Sequence, residues 1–107
     1  MSESLLVWKW SEDFDSPAKR KKAKIKFGDV TSAFLRTGDS SAFGDFDLDG
    51  FLDSVSKTFP EPEEERPFVA ERYPRAICFS IPNQSAGELI PKLGGLAMKH
   101  GLNGAQC

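Results

Sequence analysis

Phe68-Val69-Ala70-Glu71-Arg72-Tyr73-Pro74-Arg75-Ala76-Ile77-Cys78-Phe79-Ser80-Ile81 is the stretch on which the fold turns. Two runs rich in aromatic and β-branched residues flank Pro74-Arg75. Proline cannot donate to the ladder of a central strand, so the stretch reads as two strands joined tightly at that dipeptide. Downstream, Ser85-Ala86-Gly87-Glu88 has the form of a capping box opening a last helix, with Leu89, Leu93, Leu96 and Ala97 toward the core. Pro91 would kink that helix or mark its true first turn, and Gly94-Gly95 would permit close approach to a sheet. Lys99-His100-Gly101 supplies a C-terminal stop, and 102–106 reads as a short final strand.

Working upstream, Leu48, Phe51, Leu52, Val55 and Phe59 form the apolar stripe of a helix over 47–59. Residues 38–46 read as loop. Ser16-Pro17 is a helix start, followed by a stripe of Ala23, Phe27, Val30 and Phe34. Gly28-Asp29 interrupts it, and the expectation is a break there, with Asp29 capping a second helix that ends before Gly38. Leu5-Leu6-Val7-Trp8-Lys9-Trp10 alternates Leu6, Trp8 and Trp10 against Leu5, Val7 and Lys9, which suits an inner strand apolar on both faces. The order is βαββαβ with an extra helix before the second strand. That is the ferredoxin-like count, an α+β fold with a small antiparallel sheet packed by helices.

With 107 residues and nine phenylalanines, the chain is expected to form one domain, 1–107, around an aromatic core, with a mobile acidic loop at 60–66. Cys78 sits in an apolar run and Cys107 at a frayed end, so no disulfide framework is expected. The first ten residues lack a charged n-region followed by an apolar h-region, and no apolar run reaches spanning length. The expected location is a reducing cytoplasm, away from membranes. Net charge is −2 but strongly segregated: +3 over residues 1–37, −8 over 38–65 and +3 over 66–107. Such asymmetry bears on partners more than the total does.

Within the acidic middle, Asp45-Phe46-Asp47-Leu48-Asp49-Gly50-Phe51-Leu52-Asp53 reads as the front of a calcium loop, D-x-D-x-D-G. Asp45, Asp47, Asp49 and Asp53 are the candidate metal ligands. The closing position is Ser56, which cannot supply a bidentate carboxylate, and no helix enters the loop. A helix start capped by aspartates is the simpler account, and no cofactor is expected beyond this calcium alternative.

The basic run Lys19-Arg20-Lys21-Lys22-Ala23-Lys24-Ile25-Lys26 contains six cations in eight residues. Clustered cations release counterions from nucleic acid, which makes Lys19, Arg20, Lys21, Lys22, Lys24 and Lys26 the candidate residues for that alternative. A solvated helix face is the competing account, and no nucleic-acid-binding signature accompanies the run. Trp8, Trp10 and Tyr73 are weighed as a stacking platform and read first as core. No nucleophile motif, phosphate loop or zinc spacing is present, and His100 is explained as a helix-end residue, so an enzyme is not expected.

Leu5-Leu6-Val7-Trp8-Lys9-Trp10, Pro17-Ala18-Lys19-Arg20-Lys21-Lys22-Ala23-Lys24 and Glu71-Arg72-Tyr73-Pro74-Arg75-Ala76 resemble stretches of short uncharacterised bacterial single-domain proteins of toxin-immunity type. The resemblance implies a binding protein and carries no functional residues over. An inhibitor of that kind needs a stable scaffold and a complementary surface. The acidic middle, interleaved with Phe43, Phe46, Phe51 and Phe59, would suit a basic site on a toxin. The candidate partner-binding residues are Asp45, Phe46, Asp47 and Asp49, with Arg72, Tyr73 and Arg75 at the strand junction. A protein partner is expected, and nothing in the sequence sets an oligomeric state.

Overall fold

The structure is a computed structural model and describes residues 2–106; Cys107 lies outside them. Strand β1 (Ser2–Trp10) occupies the middle of the sheet, and its alternation explains why. Leu5 and Val7 face one side, Leu6 and Trp8 the other, and all four are buried. Only a strand covered on both faces tolerates that pattern. One edge of β1 pairs antiparallel with β4 (Ala76–Pro82), placing Leu6 opposite Cys78. Over Leu5–Trp8 the other edge pairs antiparallel with β5 (Asn103–Gln106). Strand β3 (Val69–Tyr73) adds to the outside of β4, antiparallel, with Tyr73 opposite Ala76 across Pro74-Arg75.

The principal strands therefore run β5-β1-β4-β3, every neighbouring pair antiparallel. It follows that β1 and β3 are parallel with β4 between them, and that β4 and β5 are parallel with β1 between them. Two interlocked split βαβ units result, which is the α+β arrangement that the element count predicts.

The crossovers are α3 (Leu48–Thr58) and α4 (Asn83–Lys99), both on the face of Leu5, Val7, Ile77 and Phe79. Phe51, Val55, Leu89 and Leu93 are their main contributions to that core. On the opposite face Leu6, Trp8, Ala76 and Cys78 are covered by α2 (Phe27–Thr37), through Val30 and Phe34. The insertion before the second strand thus comprises α1 (Pro17–Ala23), α2 and a two-residue strand β2 (Phe43–Gly44) that pairs with Lys9–Trp10 of β1. Two residues carry no readable periodicity, so 38–46 reads as loop in the sequence. Gly44 is required there, because a Cβ would lie 2.7 Å from the Trp10 carbonyl oxygen.

Local chemistry sets the helix ends. The Ser16 hydroxyl accepts the Lys19 N–H at 3.3 Å, with Pro17 in the first turn, as expected of α1. The break between α1 and α2 falls earlier than Gly28-Asp29, at Lys24, whose φ is 57°. Gly28 lies inside α2, and Asp29 caps from within by accepting the Lys26 N–H at 2.9 Å. Helix α4 starts at Asn83, so Ser85 lies inside it and does not cap; Glu88 instead pairs with Lys92 at 3.0 Å. Pro91 is interior and withholds the N–H that the Gly87 carbonyl would receive. At the other end Gly101, with φ 71°, donates to the Met98 carbonyl and Leu102 donates to that of Ala97, a Schellman closure that seats Leu102 in the core. No helix among the described residues is long and apolar enough to cross a membrane.

Candidate functional site

The aspartates of the 45–53 stretch are each occupied differently. Asp47 is the N-cap of α3, and its Oδ1 accepts the Gly50 N–H at 3.0 Å. A Cβ built on Gly50 would lie 2.9 Å from Asp47 Cγ, so the glycine leaves room for the capping carboxylate. Asp49 pairs with Arg72 of β3, and Asp53 pairs with Lys57 one turn along at 3.2 Å. Ser56, at the position that would close a calcium loop, accepts from Arg66 at 3.4 Å. Among the described residues no three His, Cys, Asp or Glu side chains gather where a metal ion could be held, so the four candidate ligands are not brought together. The D-x-D-x-D-G spelling serves a helix cap.

What the fold does bring together is the 39–49 segment and the β3–β4 turn. Arg75 Nη2 donates to both carboxylate oxygens of Asp39 at 2.9 Å and to the Ser40 carbonyl at 3.1 Å, while Nη1 donates to the Phe43 carbonyl at 2.7 Å. Burial pushes the Asp39 carboxyl up, but the Ser40 N–H and the Arg75 guanidinium outweigh it and hold the carboxyl below its ordinary value. Tyr73 packs edge-on to Phe34 at 4.7 Å and donates its hydroxyl to Glu71 at 2.9 Å. Pro74 has a negative φ, and the only positive φ at a non-glycine among the described residues is that of Lys24. The turn is therefore not the primed type that matches strand twist, and the Arg75 clamp holds its far end.

Beside this clamp lies a concavity of about 430 Å³ lined by Lys9, Ser11, Glu12, Asp13, Asp45 and Arg75, among others. The Ser11 hydroxyl oxygen is buried with no hydrogen-bond partner among the described residues. Asp45, Asp49 and Asp53 are exposed, the last two one turn apart on the outer face of α3. Of the phenylalanines considered for partner contact, Phe43, Phe51 and Phe59 are buried; Phe46 alone is half-accessible.

The basic run divides. Lys19 donates to the Glu12 carbonyl at 2.8 Å and to the Asp15 carboxylate at 2.9 Å; the bond to Asp15 lowers the Asp15 carboxyl and raises the Lys19 ammonium. Arg20 donates to the Phe14 carbonyl at 2.7 Å and lies 4.9 Å above the Trp10 ring. Lys21, Lys22, Lys24 and Lys26 are exposed and form none of the ion pairs among the described residues. Trp8 is fully buried, its indole N–H without a partner there. His100 contacts the Ser54 hydroxyl at 2.9 Å and the Phe51 ring, a packing role at the end of α4.

Comparison with family models, with curated proteins and with solved structures returned no match to this chain.

Proposed function

We propose that this chain is a non-enzymatic, cytoplasmic protein-binding domain, most concretely an immunity-type inhibitor that presents an acidic surface to a basic site on a toxin. The observation that carries the reading is the meeting of the 45–49 carboxylates with the β3–β4 turn. Asp49 touches Arg72, and Asp45 lines the same concavity as Arg75. A partially accessible phenylalanine, a tyrosine and two arginines at the border of a negative surface make a suitable contact: the charge speeds encounter and the anchors hold the complex. Phe46, Tyr73, Arg72 and Arg75 are the anchors in this reading, with Asp45, Asp49 and Asp53 supplying the field.

The test is co-purification of this chain with its partner from native lysate, followed by growth assays with the captured protein. Charge reversal is best made at Asp45 and Asp53, because Asp47 is spent on the α3 cap. The expected outcome is a partner lost from Asp45→Lys/Asp53→Lys and at higher salt. Expressing that partner alone should arrest growth, and co-expressing this chain should restore it. A partner retained equally by the reversed variant removes the acidic-surface mechanism. A captured partner that does not affect growth removes the immunity reading while leaving a binding domain.

A further inference from the structure

The insertion on the opposite face of the sheet carries a surface of opposite sign. Phe27, the first residue of α2, was expected in the buried stripe, yet it is 47% exposed. Its ring stands edge-on to Trp8 at 5.2 Å and tilted against Trp10 at 5.7 Å, so the exposed ring is held on a fixed aromatic base. Beside it Gly28 presents no side chain, and a Cβ there would meet nothing within 4 Å. Arg20 covers Trp10 and so joins α1 to the same aromatic group. Lys21, Lys22, Lys24 and Lys26 lie within six residues of Phe27 in sequence, all exposed and outside the ion pairs of the described residues. Asp15 is paired with Lys19, and Glu12 and Asp13 also face Lys19, whereas Asp29 accepts the Lys26 N–H and keeps its charge.

We propose that this patch binds single-stranded nucleic acid, bases stacking on Phe27 and phosphates meeting Lys21, Lys22, Lys24 and Lys26. An exposed ring that follows a run of lysines outside any ion pair among the described residues matches a strand whose bases are free to stack and whose backbone is anionic. A duplex keeps its bases inside and has no use for the ring. The basic run is separate from the acidic face of α3, since α1 and α2 belong to the insertion and α3 packs on the other face, while Trp10 also lines the concavity that holds Asp45.

The experiment is fluorescence anisotropy with labelled twelve-residue oligo(dT) and oligo(U), each at 50 and 200 mM salt. With four phosphates neutralised, affinity should fall about fiftyfold between the two salts. Phe27→Ala should weaken binding about tenfold at fixed salt without changing the salt dependence. Phe27→Leu, which keeps apolar packing on Trp8 but lacks a flat ring, should lose binding as well. Lys21→Glu/Lys22→Glu should weaken binding and flatten the salt dependence. Circular dichroism of each variant establishes that it is folded. No binding at 50 mM salt overturns the proposal, as does equal binding by the lysine-reversed protein. So do duplex binding indifferent to Phe27 and binding confined to phosphatidylserine vesicles.

Discussion

Arg75 closes on Asp39 across 36 residues of sequence, joining the turn between β3 and β4 to the loop that follows α2. One guanidinium satisfies a carboxylate and the two backbone carbonyls of Ser40 and Phe43. The planar fork of arginine suits several acceptors in fixed directions, which a lysine point charge does not reproduce.

Arg75→Ala should therefore destabilise the fold by about 1–3 kcal/mol, toward the lower end because both side chains are partly solvated. Arg75→Lys should recover little of the loss. Urea unfolding measures both, and a midpoint unchanged in Arg75→Ala would show that the clamp contributes nothing.

The same pair predicts a pH effect. The Asp39 carboxyl is held below its ordinary value in the folded state, so its contribution is fully present above the unfolded value near 4. It is lost as pH falls through the folded value. Wild type and Asp39→Asn should differ in stability at pH 7, and the gap should close on acidification. A gap that persists at pH 2 would sink the assignment.

Asp47 and Gly50 should be coupled. Asp47→Ala removes the cap of α3 and should cost about 1 kcal/mol. In that background Gly50→Ala should restore up to about 1 kcal/mol through helix propensity. In wild type the new Cβ would crowd the capping carboxylate, so Gly50→Ala should gain little or destabilise. A double-mutant cycle with no coupling would show that the glycine is indifferent to the cap.

Calcium titrated to millimolar concentration should leave the amide resonances of residues 45–56 in place, because Asp47, Asp49 and Asp53 are drawn to three different partners. Shifts confined to that segment would reinstate an ion site.

Pro91 is exposed in the interior of α4, where it denies the Gly87 carbonyl its helical partner. Pro91→Ala should raise stability by about 1–3 kcal/mol, read as a higher urea midpoint. A fall would mean that the Pro91 ring contributes more to the packing of α4 than its missing N–H costs.

Much of the fold was legible because its signals are local. Alternation in β1, Pro74 between two apolar runs and the Leu48–Phe59 stripe each depend on neighbours within a few residues, and each element forms where they indicate. The start of α4 was misread because Ser85 and Glu88 have the spelling of a capping box while the chain turns helical directly after Pro82. The Asp39–Arg75 clamp, β2 and the exposure of Phe27 depend on contacts far apart in sequence. Gly44 was the one local hint of β2, since a lone glycine inside a run signals close backbone approach. At the candidate site the residue types were visible but their pairing was not. Nothing in Asp49 or Arg72 alone says that they meet.

Strand β1 takes its long ladders from β4 and β5, whose residues lie some 70 to 100 positions later. During synthesis β1 precedes both of these partners, and Leu5 and Val7 stay unburied until residues 76–82 have been made. Helices α1 to α3 can form in the interval, but none of them supplies a ladder. Assembly at the ribosome is thus tied to a late event, the arrival of β4 beside β1, and the chain is most exposed to aggregation just before it.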